Sequence, residues 1–579
     1  MKQVLLACVS LAACCTPMMA QVNAENVVGR YAGDLYVALG EEIYTDDARM
    51  YASVLVNKSN KEAEVDFSLP NFAFAGMSLG DIFLPNIPLN YTNNTYSFGA
   101  NPNVRFNFLN GEIVADASLD DKRSYIKGDS IVAYIPVKWI QSESMSMPIY
   151  VLFKGKLQSP FTLENGNFNT EDLWTRSKPW DSKNGYFDWS ALEDNDEYWE
   201  SSKWEIDDYI TPSPWCISHV IGINGVGATC VGAHVQTNED EDNPDYAVKL
   251  INTPNPFMST QIVPGYMTLG TSWATANTMN LDETADGGAF GGIAFKGKPD
   301  AIKFSYTRSF GKDNTEESYN ASALNDKEPA TVVAYLWKGE YKQEKVPGNT
   351  GFSTTTTATM YGRDRNILGL STTTGGATTH SDDAACIAQV VKSISGETKE
   401  MTEMTIALDY GKYAGTDIQP DSLNIVFSAS DYFGKRSKVG AGNTLTIDNV
   451  ELVYYHALKD VTYDGKPVTF SADNVATLSD ISYEPNKLAF TKVGEGATIS
   501  QSFDQATGVL TICVESQNIK FEPTAVTTYT IQFSTIPSAV NSVVASDNNK
   551  AERIYTIDGR RANTTTKGVN IVNGKKVVK

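Results

Sequence analysis

Residues 264–276 read PGYMTLGTSWATA, residues 282–293 read DETADGGAFGGI, and residues 294–310 read AFKGKPDAIKFSYTRSF. In the first piece Tyr266 and Thr268 alternate with Met267 and Leu269. In the last, Ile302, Phe304 and Tyr306 alternate with Lys303 and Ser305. A period of two is the signature of half-buried strands. Between these runs Gly287, Gly288, Gly291 and Gly292 permit backbone geometry that a Cβ would resist. The stretch therefore reads as consecutive strands of an all-β domain.

Outward from it, the same pattern recurs at 247–251 (AVKLI), 331–339 (TVVAYLWKG), 404–410 (MTIALDY) and 423–430 (LNIVFSAS). Thr-rich tracts at 353–360 and 371–379 flank GRDRNILGL and read as an edge hairpin or a long loop. No helical stretch interrupts the pattern, so residues 158–456 form one expected domain. On the 264–310 residues this domain resembles the PCMD family of carbohydrate-metabolism domains, β-jelly rolls of bacterial secreted proteins. Its opening run, 163–168 (LENGNF), and its closing run, 445–455 (LTIDNVELVYY), look like the first and last strands of a carbohydrate-binding-module jelly roll. The resemblance implies a glycan partner and, through Asp448, a structural Ca²⁺. Where those modules carry a Glu after the residue matching Phe168, this chain has Asn169, an amide oxygen that suits calcium but brings no charge.

Residues 27–157 carry successive β-runs separated by Gly, Asn and Asp turns, a meander expected to close into a barrel. Gly29-x-Tyr31 and the pair Leu69-Pro70-Asn71-Phe72 and Leu79-Gly80-Asp81-Ile82 resemble the calycin-like domain, a lipocalin-type barrel. A barrel of about eight strands either holds a small apolar ligand or is filled by its own side chains. Residues 457–536 carry shorter runs suited to a small immunoglobulin-like sandwich. Residues 537–549 turn to Ser, Asn and Asp and read as a linker. The tail, 550–579, resembles a type A C-terminal sorting domain through Tyr555, Asp558-Gly559-Arg560-Arg561 and Lys567-Gly568, although Asn570 stands where that family has an aromatic residue.

At the other end, Lys2, the apolar run from Val4 to Ala13 and the Ala20-Gln21 junction read as an export signal over residues 1–20. The alternative is acylation at Cys14, behind Leu11-Ala12-Ala13, which would make a lipoprotein. No later stretch approaches the ~20 apolar residues of a membrane helix. Export would leave only Cys216, Cys230, Cys386 and Cys513, too few for a disulfide scaffold. The 579-residue length calls for several domains. A net charge of −22 argues against nucleic-acid partners, whose phosphates need Lys and Arg.

Six of the nine tryptophans fall between Trp174 and Trp215, interleaved with acids. Sugars offer flat C–H faces and a rim of hydroxyls, so exposed indoles beside carboxylates suit them. Trp180, Trp189, Trp199 and Trp204, with Glu197 and with Asp286 from the glycine-rich stretch, are the expected carbohydrate-binding residues. The competing reading is that these indoles plug the gap between sheets. Trp273, in an alternating run, is expected in the core. Cys216, His219, Cys230 and His234 have the ligand types of a zinc site, but residues three apart on a strand face opposite ways. There is no GxSxG, P-loop or HExxH motif. The sequence thus predicts an exported, non-catalytic glycan-binding protein of the bacterial envelope, with a glycoside hydrolase and a structural or adhesive surface protein as alternatives.

Overall fold

The structure is a computed structural model that describes residues 22–578 apart from 62, 75–76, 109–110, 178–204, 221–228, 241–242, 256–257, 276–285, 312–327, 348–356, 373, 436–437, 536–553, 557–560, 563–566, 568 and 573–574. The first ten strands are β1 (Gly29–Leu39), β2 (Arg49–Lys58), β3 (Glu64–Phe74), β4 (Met77–Thr92), β5 (Thr95–Phe98), β6 (Val104–Phe108), β7 (Ile113–Ala117), β8 (Tyr125–Lys127), β9 (Ser130–Ile140) and β10 (Ser146–Leu157). Their order, β10-β1-β2-β3-β4-β5-β8-β9, is closed by β9 pairing with β10. The result is an eight-stranded antiparallel barrel. β7 and β6 extend from the far end of β9.

Alternation explains the ring. In β9, Ile131, Ala133, Ile135 and Val137 are buried while the residues between them are half-exposed. The inward side chains meet in a single core that includes Tyr31, Phe67, Phe72, Phe98 and Phe153. These side chains pack against one another inside the barrel. β1 and β10 approach closely at Gly33, where an added Cβ would lie 2.2 Å from the Lys154 carbonyl oxygen.

The second domain is a sandwich of two antiparallel sheets. One orders Cys216–Ile217, Tyr266–Thr268, Ser422–Ser428, Ala330–Lys338 and Ala385–Ile394, with Ile293–Ala294 also paired to Ser422–Ser428. The other orders Gly232–Gln236, Tyr246–Ile251, Thr444–Val453, Ala301–Ser309 and Thr398–Ala407. The chain crosses from one sheet to the other repeatedly, from Ala301–Ser309 to Ala330–Lys338 and from Ala385–Ile394 through Thr398–Ala407 and Ser422–Ser428 to Thr444–Val453, as in a jelly roll. Ile302, Phe304 and Tyr306 face Val332, Ala334, Leu336, Ile425 and Phe427 across one core, as their alternation requires. Lys303, pointing the other way, reaches Glu451 at 2.8 Å.

The first sheet departs from the half-buried expectation. Tyr266, Met267 and Thr268 are all buried, as is nearly every residue of Ala330–Lys338. Its outer face carries Tyr266, Val333, Tyr335, Trp337 and Val426, covered by Ala289, Ile367 and Tyr432. The GRDRNILGL stretch supplies part of that cover through the short helix Asp364–Ile367.

Among the described residues the remaining strands form three two-stranded sheets, two three-stranded sheets, a four-stranded sheet in which Val475–Ser482 runs parallel to Val526–Thr535, and a four-stranded tail sheet from Ile554–Thr556, Arg561–Ala562, Val569–Val572 and Lys575–Val578. By compactness the chain divides into one unit of Met1–Val461, Phe490–Ser500 and Cys513–Thr528 and another of Thr462–Ala489, Gln501–Ile512 and Tyr529–Lys579. No helix among the described residues is long and apolar enough to cross a membrane.

Candidate functional site

Trp180, Trp189, Trp199, Trp204 and Glu197 lie outside the described residues. Asp286 opens the strand Asp286–Phe290, its backbone paired with Thr275; its side chain lies outside the description. What the structure places is the two ends of the tryptophan-rich segment. Trp215 is 2% exposed and packs edge-on to Phe168 and tilted against Phe427, inside the sandwich core. It takes the gap-plugging role.

Trp174 differs. It is half-buried in the strand Trp174–Arg176, which pairs with Ile210–Pro212. Its indole N–H donates to the Phe168 carbonyl at 2.9 Å, and its ring stacks on His234 with centroids 4.0 Å apart. His234 in turn lies 4.0 Å from Tyr246. The pairing of Gly232–Gln236 with Tyr246–Ile251 puts His234 opposite Val248 and Gln236 opposite Tyr246, so these side chains share a face. Val248 is in the core, whereas Trp174, His234 and Tyr246 are half-buried. The three rings form a ladder at the rim of the sandwich. Burial lowers the pKa of His234, so the ladder stays uncharged near neutrality.

Beside the ladder lies a polar cluster. Asn169 donates from Nδ2 to Asp245 at 2.9 Å and accepts from the Tyr246 backbone N–H at 2.7 Å. Asp245 also accepts from the Thr237 hydroxyl at 2.9 Å. Asp448 is 3% exposed and accepts from the backbone N–H and the side-chain amide of its own neighbour Asn449, at 2.6 and 2.9 Å. Asn449 has φ of +51°, and the ladder to Ala301–Ser309 shifts register here. Burial, reinforced by the negative charge of Asp245, raises the Asp448 pKa to about 6.

Asn169 and Asp448 are thus linked through Asp245, a residue the sequence reading missed. Asp245 ends the acidic run 239–245 (EDEDNPD), where nothing in the sequence separates it from its solvated neighbours. Two carboxylates with no ion pair among the described residues, beside an amide oxygen, are hard donors of the kind Ca²⁺ takes. They are fewer than its usual six to eight, so backbone oxygens or water would complete the shell. Among the described residues no group of three or more His, Cys, Asp or Glu is placed to hold a metal.

The zinc-type residues do not converge. Cys216 lies 3.5 Å from the Ser272 hydroxyl, and Cys230 faces the Asp208 and Gly232 carbonyls. His219 accepts from the Val231 N–H at Nδ1 and sits 3.0 Å from the Ile210 carbonyl through Nε2, while His234 is held in the ring ladder. Burial raises the Cys230 thiol to about 12 and lowers His219 to about 4, as expected of interior residues. Among the described residues Cys216, Cys230, Cys386 and Cys513 are free.

No curated protein matches the chain. A crystal structure from Bacteroides thetaiotaomicron, described as a candidate glycoside hydrolase, aligns over 74% of this chain and 97% of that one at 13% identity, with a TM-score of 0.25. A likeness at that score carries no argument about activity. Residues 27–156 match the calycin-like β-barrel domain. With its eight-stranded ring closed by β9 and β10, this segment is a calycin-like β-barrel domain.

Proposed function

We propose that this chain is an exported, non-catalytic carbohydrate-binding protein whose sandwich domain holds the glycan. The observation that carries the reading is the ladder of Trp174, His234 and Tyr246, half-buried at the sandwich rim with Asn169 and Asp245 alongside. The end rings of the stack, Trp174 and Tyr246, would each turn an outer face to the C–H face of a pyranose, and the neighbouring amide and carboxylate match its hydroxyls. Trp199 and Trp204, which lie outside the described residues, are proposed as further sugar-stacking residues. Asp448 and Asp245 would hold a structural Ca²⁺ that fixes the loops beneath the ladder. Contacts of this kind give affinities of about millimolar to micromolar per site, or ~4–8 kcal/mol.

A glycan array probed with the wild type, Trp174→Ala and Trp215→Ala tests the reading. Trp174→Ala is expected to lose the wild-type signal. Trp215→Ala is expected to lower stability while its folded fraction keeps the signal. Equal binding by wild type and Trp174→Ala would remove the ladder from the site. The export part is tested by mass spectrometry of the mature N-terminus, with Gln21 expected and an acylated Cys14 contradicting it.

A further inference from the structure

A cleft of about 250 Å³ opens where the start of β1, the end of β10 and the connector 158–161 meet the loop bearing Lys520 and Phe521. All of these residues belong to the larger unit. Its apolar wall comes from Leu157, Pro160, Phe161 and Phe521, and its charge from Arg30 and Lys520. No carboxylate is among its lining residues. In a chain of net charge −22, a recess with two cations and no acid is set apart from the prevailing field.

The two cations differ in commitment. Arg30 donates to the Ser53 hydroxyl at 3.0 Å and is ion-paired with Glu164, which lies outside the lining. Lys520 is exposed, its ammonium 5.6 Å from the Phe521 ring centroid. The floor is held in place: the Gln158 backbone N–H donates to the Arg30 carbonyl at 2.8 Å, and the Ser159 hydroxyl donates to Asn518 at 2.6 Å. The cavity is smaller than the ~300–1,000 Å³ of drug-sized sites, so a small ligand fits it best.

We infer that this cleft binds a small organic anion, a monocarboxylate with an apolar body. The carboxylate pairs with Lys520, Arg30 being neutralised by Glu164, while the body lies against Phe161, Phe521 and Leu157. Its lining shares no residue with the ladder proposed to bind glycan.

Isothermal titration of the full chain with octanoate tests this, with octanol as the neutral comparator and acetate as the anion without a body. Octanoate is expected to saturate one site, with octanol and acetate each at least about tenfold weaker, equal to ~1.4 kcal/mol. Lys520→Glu and Phe521→Ala are each expected to weaken octanoate at least about tenfold, with unchanged melting temperature. No saturation by octanoate in the millimolar range overturns the inference, as does octanol binding equally well. Octanoate binding that ignores both variants places the ligand elsewhere and overturns it too.

Discussion

Replacing Glu328 by Gln should change how the stability of the sandwich depends on pH. Glu328 is 8% exposed; its Oε2 accepts from the Gly440 backbone N–H and the Asn443 side-chain amide, both at 2.8 Å. Burial outweighs these hydrogen bonds and the nearby Arg308, and raises its pKa from 4.5 to about 7. The folded state therefore holds the proton more tightly than the unfolded chain. The stability this contributes is complete below pH 4.5 and is lost as the pH rises through about 7. A rise of that size corresponds to about 3 kcal/mol. Glu328→Gln cannot titrate, so the stability difference between wild type and variant should shift by about 3 kcal/mol across the same window. The assay is urea unfolding followed by tryptophan fluorescence for both proteins at several pH values. Taking the difference removes Asp448 and His219, which titrate in both proteins. A difference that stays constant with pH would refute the burial argument.

Adding Ca²⁺ should raise the melting temperature of the wild type, since a ligand bound only by the folded state stabilises it. Asp448→Asn should abolish that rise, and a wild type indifferent to Ca²⁺ would remove the site. Trp215→Ala should cost ~3–5 kcal/mol of stability, as loss of a fully buried indole does; a cost under ~1 kcal/mol would mean that the core between Phe168 and Phe427 collapses to fill the space. His219 should titrate by NMR with a midpoint near the value of about 4 that its burial gives it. Its neutral form contributes stability that is present above the ordinary 6.5 and lost as the pH falls through about 4. An ordinary midpoint would show that the ring is solvated.

The strands were legible where one face of a sheet met solvent. Ile302, Phe304 and Tyr306 could be read as inward because Lys303 and Ser305 intervene, and the register with Thr444–Val453 agrees. The strand Ala330–Lys338 was legible as apolar, but not as covered on both sides, because its cover comes from Ala289, Ile367 and Tyr432, distant in sequence. Trp273 is buried as its alternation suggests, yet it packs with Val346 and Met360 and lies 4.8 Å under the Arg363 guanidinium, a partnership no local pattern encodes. The site was less legible than the fold. Trp174 and Trp215 look alike in sequence, and only the tertiary position of Phe168 and His234 makes one a rim residue and the other core. Asp245 was hidden among like charges, because only its approach to Asn169 and Asp448 gives it a distinct role.

The central claim is that the sandwich binds a glycan without cleaving it. Its most direct test is to incubate purified full-length protein with the polysaccharide that scores highest on the array. Binding is followed by tryptophan fluorescence, and reducing ends are measured in the same samples. The account predicts a saturable fluorescence change in the millimolar-to-micromolar range, with no rise in reducing ends over a protein-free control. Reducing ends that accumulate in proportion to protein and time would contradict it and make the chain a glycoside hydrolase.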